Sequence, residues 1–145
     1  MEKVDVKYAL PHPSPTIFAG EFRIHFPTTL SEREVRERVS AFLSGLLDFL
    51  YHEGCRLIGH IKGLIQTEGG GYLLMSTTSF QVKEAFKGNL SNTVSRASLT
   101  LNVMVFGVAE EKIRGFVEQE VRRIFPGSKD LPGPVKALDA GSGPA

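Results

Sequence analysis

The stretch CRLIGHIKGLIQTEGGGYLLMSTTSFQV, residues 55–82, decides the fold. Two β-rich runs flank Gly69, Gly70 and Gly71, which take positive φ without steric cost, so the stretch reads as a hairpin. With Glu68 to Gly71 as the loop, Ile65 opposes Leu74, Gly63 opposes Ser76 and Ile61 opposes Thr78. The other face then pairs Leu64 with Met75, Lys62 with Thr77 and His60 with Ser79. Gly59 and Gly63 share the Ile61 face with Leu57 and Ile65. Glycine in a strand marks close approach of another backbone, so this face is expected to meet a helix and the His60 face to point outward.

Upstream, Val4, Val6, Tyr8 and Leu10 alternate with polar or small residues, the pattern of a short edge strand. Pro11, Pro13 and Pro15 follow and make an extended connector. From Thr16 to Phe26 the alternation is clean: Phe18, Gly20, Phe22, Ile24 and Phe26 inward, Ala19, Glu21, Arg23 and His25 outward. Pro27, with no N–H to donate, is expected to stop that strand. Ser31 and Glu34 then form a capping box, and Leu30 with Val35 fit a hydrophobic staple. Val35, Val39, Phe42, Leu43, Leu46, Phe49 and Leu50 recur at helical spacing, and Gly54 supplies a left-handed cap.

Downstream, Lys83 to Arg96 reads as a long loop rich in turn formers, with room for one helical turn at Lys83 to Lys87. A strand from Ala97 to Val108 follows, with Ala97, Leu99, Leu101, Val103 and Val105 on one face. A second helix is expected from Ala109 to Phe125, ended by Pro126 and Gly127. Glu110 and Glu111 in its first turn and Arg122 and Arg123 in its last suit the helix dipole. The predicted architecture is an α+β two-layer sandwich, (β)-β-α-β-β-β-α, with two helices on one face of a mainly antiparallel sheet. Residues 1–126 are expected to form one domain, with 1–15 an extended N-terminal segment and 127–145 a flexible tail.

A formal net charge of +1 argues against wholesale electrostatic capture by nucleic acid or an anionic membrane. Cys55 is alone, so neither a disulfide framework nor a zinc-ribbon spacing exists. The start lacks a signal-peptide pattern and no apolar run approaches the ~20 residues of a membrane span, so a cytoplasmic protein is expected. No cofactor or metal is expected either, because the histidines lack ligand spacing.

The outer sheet face is the informative surface. Its polar part is expected to hold His25, His60, Lys62, Thr77, Ser79 and Asn102, with Lys83, Lys87 and Arg96 of the loop nearby, as the binding region. Its apolar part is expected to hold Leu64, Leu73, Met75, Met104 and Phe106 as a subunit contact, because a large apolar half of an outer face needs covering. The functional expectation is therefore a small oligomeric, non-enzymatic binding or assembly domain that self-associates through this face.

One alternative is RNA binding through Lys62 and the basic 83–96 loop. The helix-strand-strand-strand-helix run from Ser31 to Phe125 has the order of a double-stranded RNA-binding domain. Glu110 and Glu111, however, stand where that module needs lysines. The other alternative is an enzyme with His60 and Lys62 in a cleft at a subunit boundary, weakened because no acid is in reach to orient the histidine.

Overall fold

The computed structural model describes residues 14–81, 85–90 and 93–130. The expected N-terminal strand at residues 4–10 and the end of the expected tail lie outside these. The elements are β1 (Thr16–Leu30), α1 (Glu32–His52), β2 (Leu57–Thr67), β3 (Tyr72–Thr77), β4 (Ala85–Asn89), β5 (Val94–Phe106), α2 (Glu110–Ile124) and β6 (Lys129–Asp130). All pairings are antiparallel, in the spatial order β4-β3-β2-β5-β1-β6. The α+β two-layer sandwich is thus the architecture.

Because β1 and β2 both run antiparallel to β5, they are parallel to each other with β5 between them. The path β1-α1-β2, then β5-α2-β6, is the split β-α-β arrangement of ferredoxin-like folds. Strands β3 and β4 extend that sheet beyond β2.

Local chemistry sets the helix ends. Ser31 Oγ accepts from the Glu34 N–H at 3.1 Å and Glu34 Oε1 accepts from the Ser31 N–H at 2.9 Å, closing the capping box. At the other end Gly54 sits at φ 100°, Cys55 N–H bonds Leu50 O at 2.9 Å and Gly54 N–H bonds Tyr51 O at 3.1 Å, a Schellman motif. Helix α2 has Ala109 at its N-cap without a side-chain hydrogen bond. Its last turn is held instead by Arg38, whose Nη1 donates to the Ile124 carbonyl at 2.7 Å. At the opposite end Lys112 Nζ meets Glu53 Oε1 at 3.0 Å. These two ties show that α1 and α2 run antiparallel. Between them the rings of Phe49 and Phe116 stack with centroids 4.4 Å apart.

Both helices cover one face. The core contains Phe18, Phe22, Ile24, Val39, Phe42, Leu46, Ile61, Ile65, Leu101, Val103, Val117 and Phe125, all buried. An apolar gap of about 10 Å³ beneath Val39 and Phe42 is at most one water in size.

Five expectations are corrected. First, Thr67 N–H bonds Gly71 O at 2.9 Å and Gly70 N–H bonds Thr67 O at 3.1 Å, with Gly70 at φ 90°. The loop is therefore Glu68-Gly69-Gly70, a turn closed by a left-handed glycine, one residue shorter than predicted. The register becomes Ile65 with Leu73, Gly63 with Met75 and Ile61 with Thr77. A one-residue slip turns every β3 side chain over.

Second, β2 carries a bulge: Ile58 pairs with Val105 and His60 with Met104, leaving Gly59 between. Ile58 is consequently buried while Leu57 is 60% exposed. Neither glycine marks a helix contact, since a Cβ at Gly59 would meet Met104 and one at Gly63 would meet the side chains of Met75 and Leu101. Third, the 83–96 segment is not a plain loop; it contains edge strand β4, paired with β3. Fourth, Pro27 interrupts β1 without ending it: the ladder to β5 breaks after His25 and resumes at Leu30 opposite Val94. Fifth, strand β6 lies beyond residue 126, pairing with Phe22 and Arg23 in a stretch expected to be tail.

Candidate functional site

The sheet face opposite α1 and α2 divides into three zones along the strands. Its centre is closed. Lys62 and Leu64 on β2, Leu74 on β3, and Thr100 and Asn102 on β5 are all buried there. Lys62 stands between Ser76 and Asn102, and Leu64 between Leu74 and Thr100.

One end is apolar. Ile17 pairs with Met104 and Leu57 with Phe106. Ile17 is 62% and Leu57 60% exposed, while Met104 and Phe106 are half-buried beside them. His60, also opposite Met104, marks the inner margin of this zone. Its Nδ1 is buried without a hydrogen-bond partner among the described residues.

The other end is cationic. Arg23 pairs with Ser98, and Ser98 pairs on its other side with Gln66, so these three residues form a row across β1, β5 and β2. His25 pairs with Arg96 in the adjacent row. Together with Glu68 they line an open basin of about 720 Å³. The two ends are separated by about 33 Å, at the rise of an extended strand from Arg96 to Phe106.

The expected site residues are thereby redistributed. Leu73 and Met75 are core residues, each 2% exposed, so they leave the expected interface. Thr77 faces Ile61 in the core, and its hydroxyl donates to the Ser79 carbonyl at 3.2 Å. Ser79 is exposed on the turn that follows. Neither joins His60 and Lys62, because the register slip carried Thr77 to the other face. Leu64, Met104, Phe106, His60, Lys62 and Asn102 do lie on the outer face.

Lys83 falls outside the described residues. Lys87 is on β4 at the far edge and Arg96 on β5, three strand spacings away, or about 14 Å. Lys62 is buried at the centre. The basic patch expected around the 83–96 segment is therefore dispersed among the described residues, while Arg23, outside the expected binding set, sits beside Arg96 and His25.

Among the described residues no acid is placed to support a catalytic reading of His60. Among the described residues, the carboxylates held below the ordinary value of 4.5 are all on the helices. Glu32 is lowered chiefly by the Leu90 N–H, Glu34 by Ser31 and Glu120 by Arg123. Among the described residues no group of three or more His, Cys, Asp or Glu side chains is placed to hold a metal ion. Cys55 is fully buried, its thiol donating to the Leu57 carbonyl at 3.3 Å. No helix of the described residues is long and apolar enough to cross a membrane.

No protein-family model matches the chain, and no curated protein does. Among solved structures, the chain is similar to a zinc-bound triple mutant of the YjiA GTPase, at 15% identity and a TM-score of 0.36. The match covers 71% of this chain and 29% of that one, so the chain spans under a third of its length.

Proposed function

We propose that this chain is a small, non-enzymatic binding and self-assembly domain that associates through the apolar end of its outer sheet face. The observation that supports it is the exposure of Ile17 (62%) and Leu57 (60%) around Met104 and Phe106 on adjacent strands. Aliphatic side chains this open on one contiguous patch favour burial against a partner, at roughly 25 cal/mol per Å² of apolar surface covered. A second copy supplies the same patch, and a two-fold axis through it pairs like with like. Leu64, assigned to the contact by alternation, belongs to the closed centre; Ile17 and Leu57 take its place.

The reading includes a cytoplasmic setting, in keeping with a single, buried, unpaired thiol. RNA binding through Lys62 has less support, because that ammonium is only 7% exposed. Catalysis by His60 and Lys62 has less support because no carboxylate partner stands beside either among the described residues.

Light scattering behind size exclusion, over a hundredfold concentration range, tests the reading. The wild-type chain is expected to run as a dimer or larger ring and Ile17→Asp as a folded monomer. A wild-type monomer at every concentration overturns it.

A further inference from the structure

The cationic end of the outer face carries charge that the described residues around it do not neutralise. Elsewhere the arginines other than Arg122, which is exposed on α2, are engaged. Arg33, Arg36, Arg114 and Arg123 each hold a glutamate, and Arg38 and Arg56 donate to backbone carbonyls. Arg23 and Arg96 have neither kind of partner among the described residues, yet both line the same basin with His25 between them in register. Cations set diagonally on neighbouring strands are about 7–8 Å apart at the backbone and repel each other. Their side chains are long enough to converge on one ligand.

We propose that this basin binds a small hydroxyl-bearing phosphomonoester. The two guanidinium forks match the oxygens of a dianionic phosphate, to which charge-assisted hydrogen bonds are strong. The Ser98 hydroxyl, flanked by Arg23 and Gln66, supplies a neutral donor to the same group. Glu68 is the one carboxylate among the described residues of the lining and stands on the exposed hairpin tip. It repels phosphate but accepts hydrogen bonds from hydroxyls, which orients the organic part toward β2. A volume of about 720 Å³ suits a small molecule.

Nucleic acid fits less well. Among the described residues the lining contains no aromatic ring for a base to stack on, and the basic residues do not continue as a track, with Lys62 buried and Lys87 on the far edge. The proposal does not depend on self-association, whose patch is at the opposite end of the strands.

Calorimetric titration of the full chain at fixed ionic strength tests it, with ribose 5-phosphate, ribose, inorganic phosphate and a ten-nucleotide oligouridylate as probes. Ribose 5-phosphate is expected to bind at least about tenfold more tightly than inorganic phosphate, and ribose alone not at all. Arg23→Gln and Arg96→Gln should each weaken it about tenfold or more with unchanged melting temperature, since both side chains are exposed. Phe106→Asp should leave it unchanged, which separates this site from the assembly surface.

The proposal is overturned by wild-type affinity in both arginine variants. It is equally overturned by inorganic phosphate binding as tightly as the ester, by no saturable binding at millimolar concentration, or by oligouridylate binding about a hundredfold more tightly.

Discussion

Glu120 of α2 lies directly over Gly45 of α1: a Cβ built at Gly45 would stand 2.6 Å from Glu120 Oε2. The contact belongs to a series. Glu53 meets Lys112, Phe49 stacks on Phe116 and Gly45 receives Glu120, each step one turn back on α1 and one turn on along α2. Arg123 holds the same carboxylate with two hydrogen bonds, Nε to Oε1 at 2.9 Å and Nη2 to Oε2 at 2.7 Å. The glycine is what lets a paired carboxylate lie between two helices.

Enlarging Gly45 should therefore cost stability even though it removes a glycine from a helix. Gly45→Leu is expected to destabilise by about 1–3 kcal/mol, the usual cost of overpacking. Gly115 is the control: it is helical and exposed, and a Cβ there would meet nothing within 4 Å. Gly115→Ala should stabilise by about 0.5–1 kcal/mol through helix propensity alone. Urea unfolding of both variants checks the pair, and a stabilised Gly45→Leu would refute the helix contact.

The depressed carboxylates fix the sign of the acid response. Glu120 is held below 4.5 by Arg123, and Glu32 below it by the Leu90 N–H. A carboxyl whose folded pKa is depressed contributes stability above its unfolded value, and that contribution disappears as pH falls through the folded one. Melting temperature should accordingly be level from pH 7 to about 5 and fall below the ordinary carboxylate range. The double variant Glu32→Gln with Glu120→Gln should melt lower at pH 7 and fall less steeply in acid. Parallel curves for the two proteins would exclude these groups as the source.

Glu32 also ties the far edge of the sheet to α1. Its Oε1 accepts from the Leu90 N–H at 2.7 Å, while Oε2 takes Arg36 Nε at 3.0 Å. Leu90 follows β4 directly, and its backbone is so close to Gly71 that a Cβ there would stand 2.8 Å from the Leu90 carbonyl oxygen. Losing a charged acceptor for a backbone donor costs about 1–3 kcal/mol. Glu32→Ala should lower stability within that range and speed hydrogen exchange at Leu90 more than in β5. Uniform acceleration across the sheet would instead mean that β4 does not open on its own.

What was legible in the sequence was local. The capping box at Ser31, the left-handed cap at Gly54 and the apolar stripes of both helices depend on neighbours within a turn, so spacing alone reveals them. Strand β4 gave no such signal: among its residues only Phe86 packs against the core, and Gly88 sits at φ 91°. Two glycines misled for a different reason. Gly70 shortens the hairpin loop and Gly59 inserts a bulge, and each shifts parity without changing composition. The cationic end was half legible. Alternation put Arg23 and His25 on the outer face, but the row through Ser98 to Gln66 exists only once β2 and β5 pair across a long sequence separation.

That parity shift makes a decisive comparison for the assembly surface. By alternation with a longer loop, Met75 and Phe106 share the outer face, and an aspartate at either would disrupt association alone. In the structure Met75 is 2% exposed beneath the helices, near Phe42 and Leu101, whereas Phe106 is half-buried at the rim beside exposed Leu57. Met75→Asp buries an unpaired carboxylate and should cost about 4 kcal/mol or more, unfolding the chain or raising its urea sensitivity sharply. Phe106→Asp places its charge where water reaches it. It should leave the unfolding midpoint within about 1 kcal/mol of wild type while reducing the solution mass to that of one chain. Circular dichroism with light scattering on the two variants separates the outcomes. A folded, monomeric Met75→Asp would return Met75 to the outer face and refute the β2–β3 register. A Phe106→Asp variant that stays assembled would exclude the apolar end as the subunit contact.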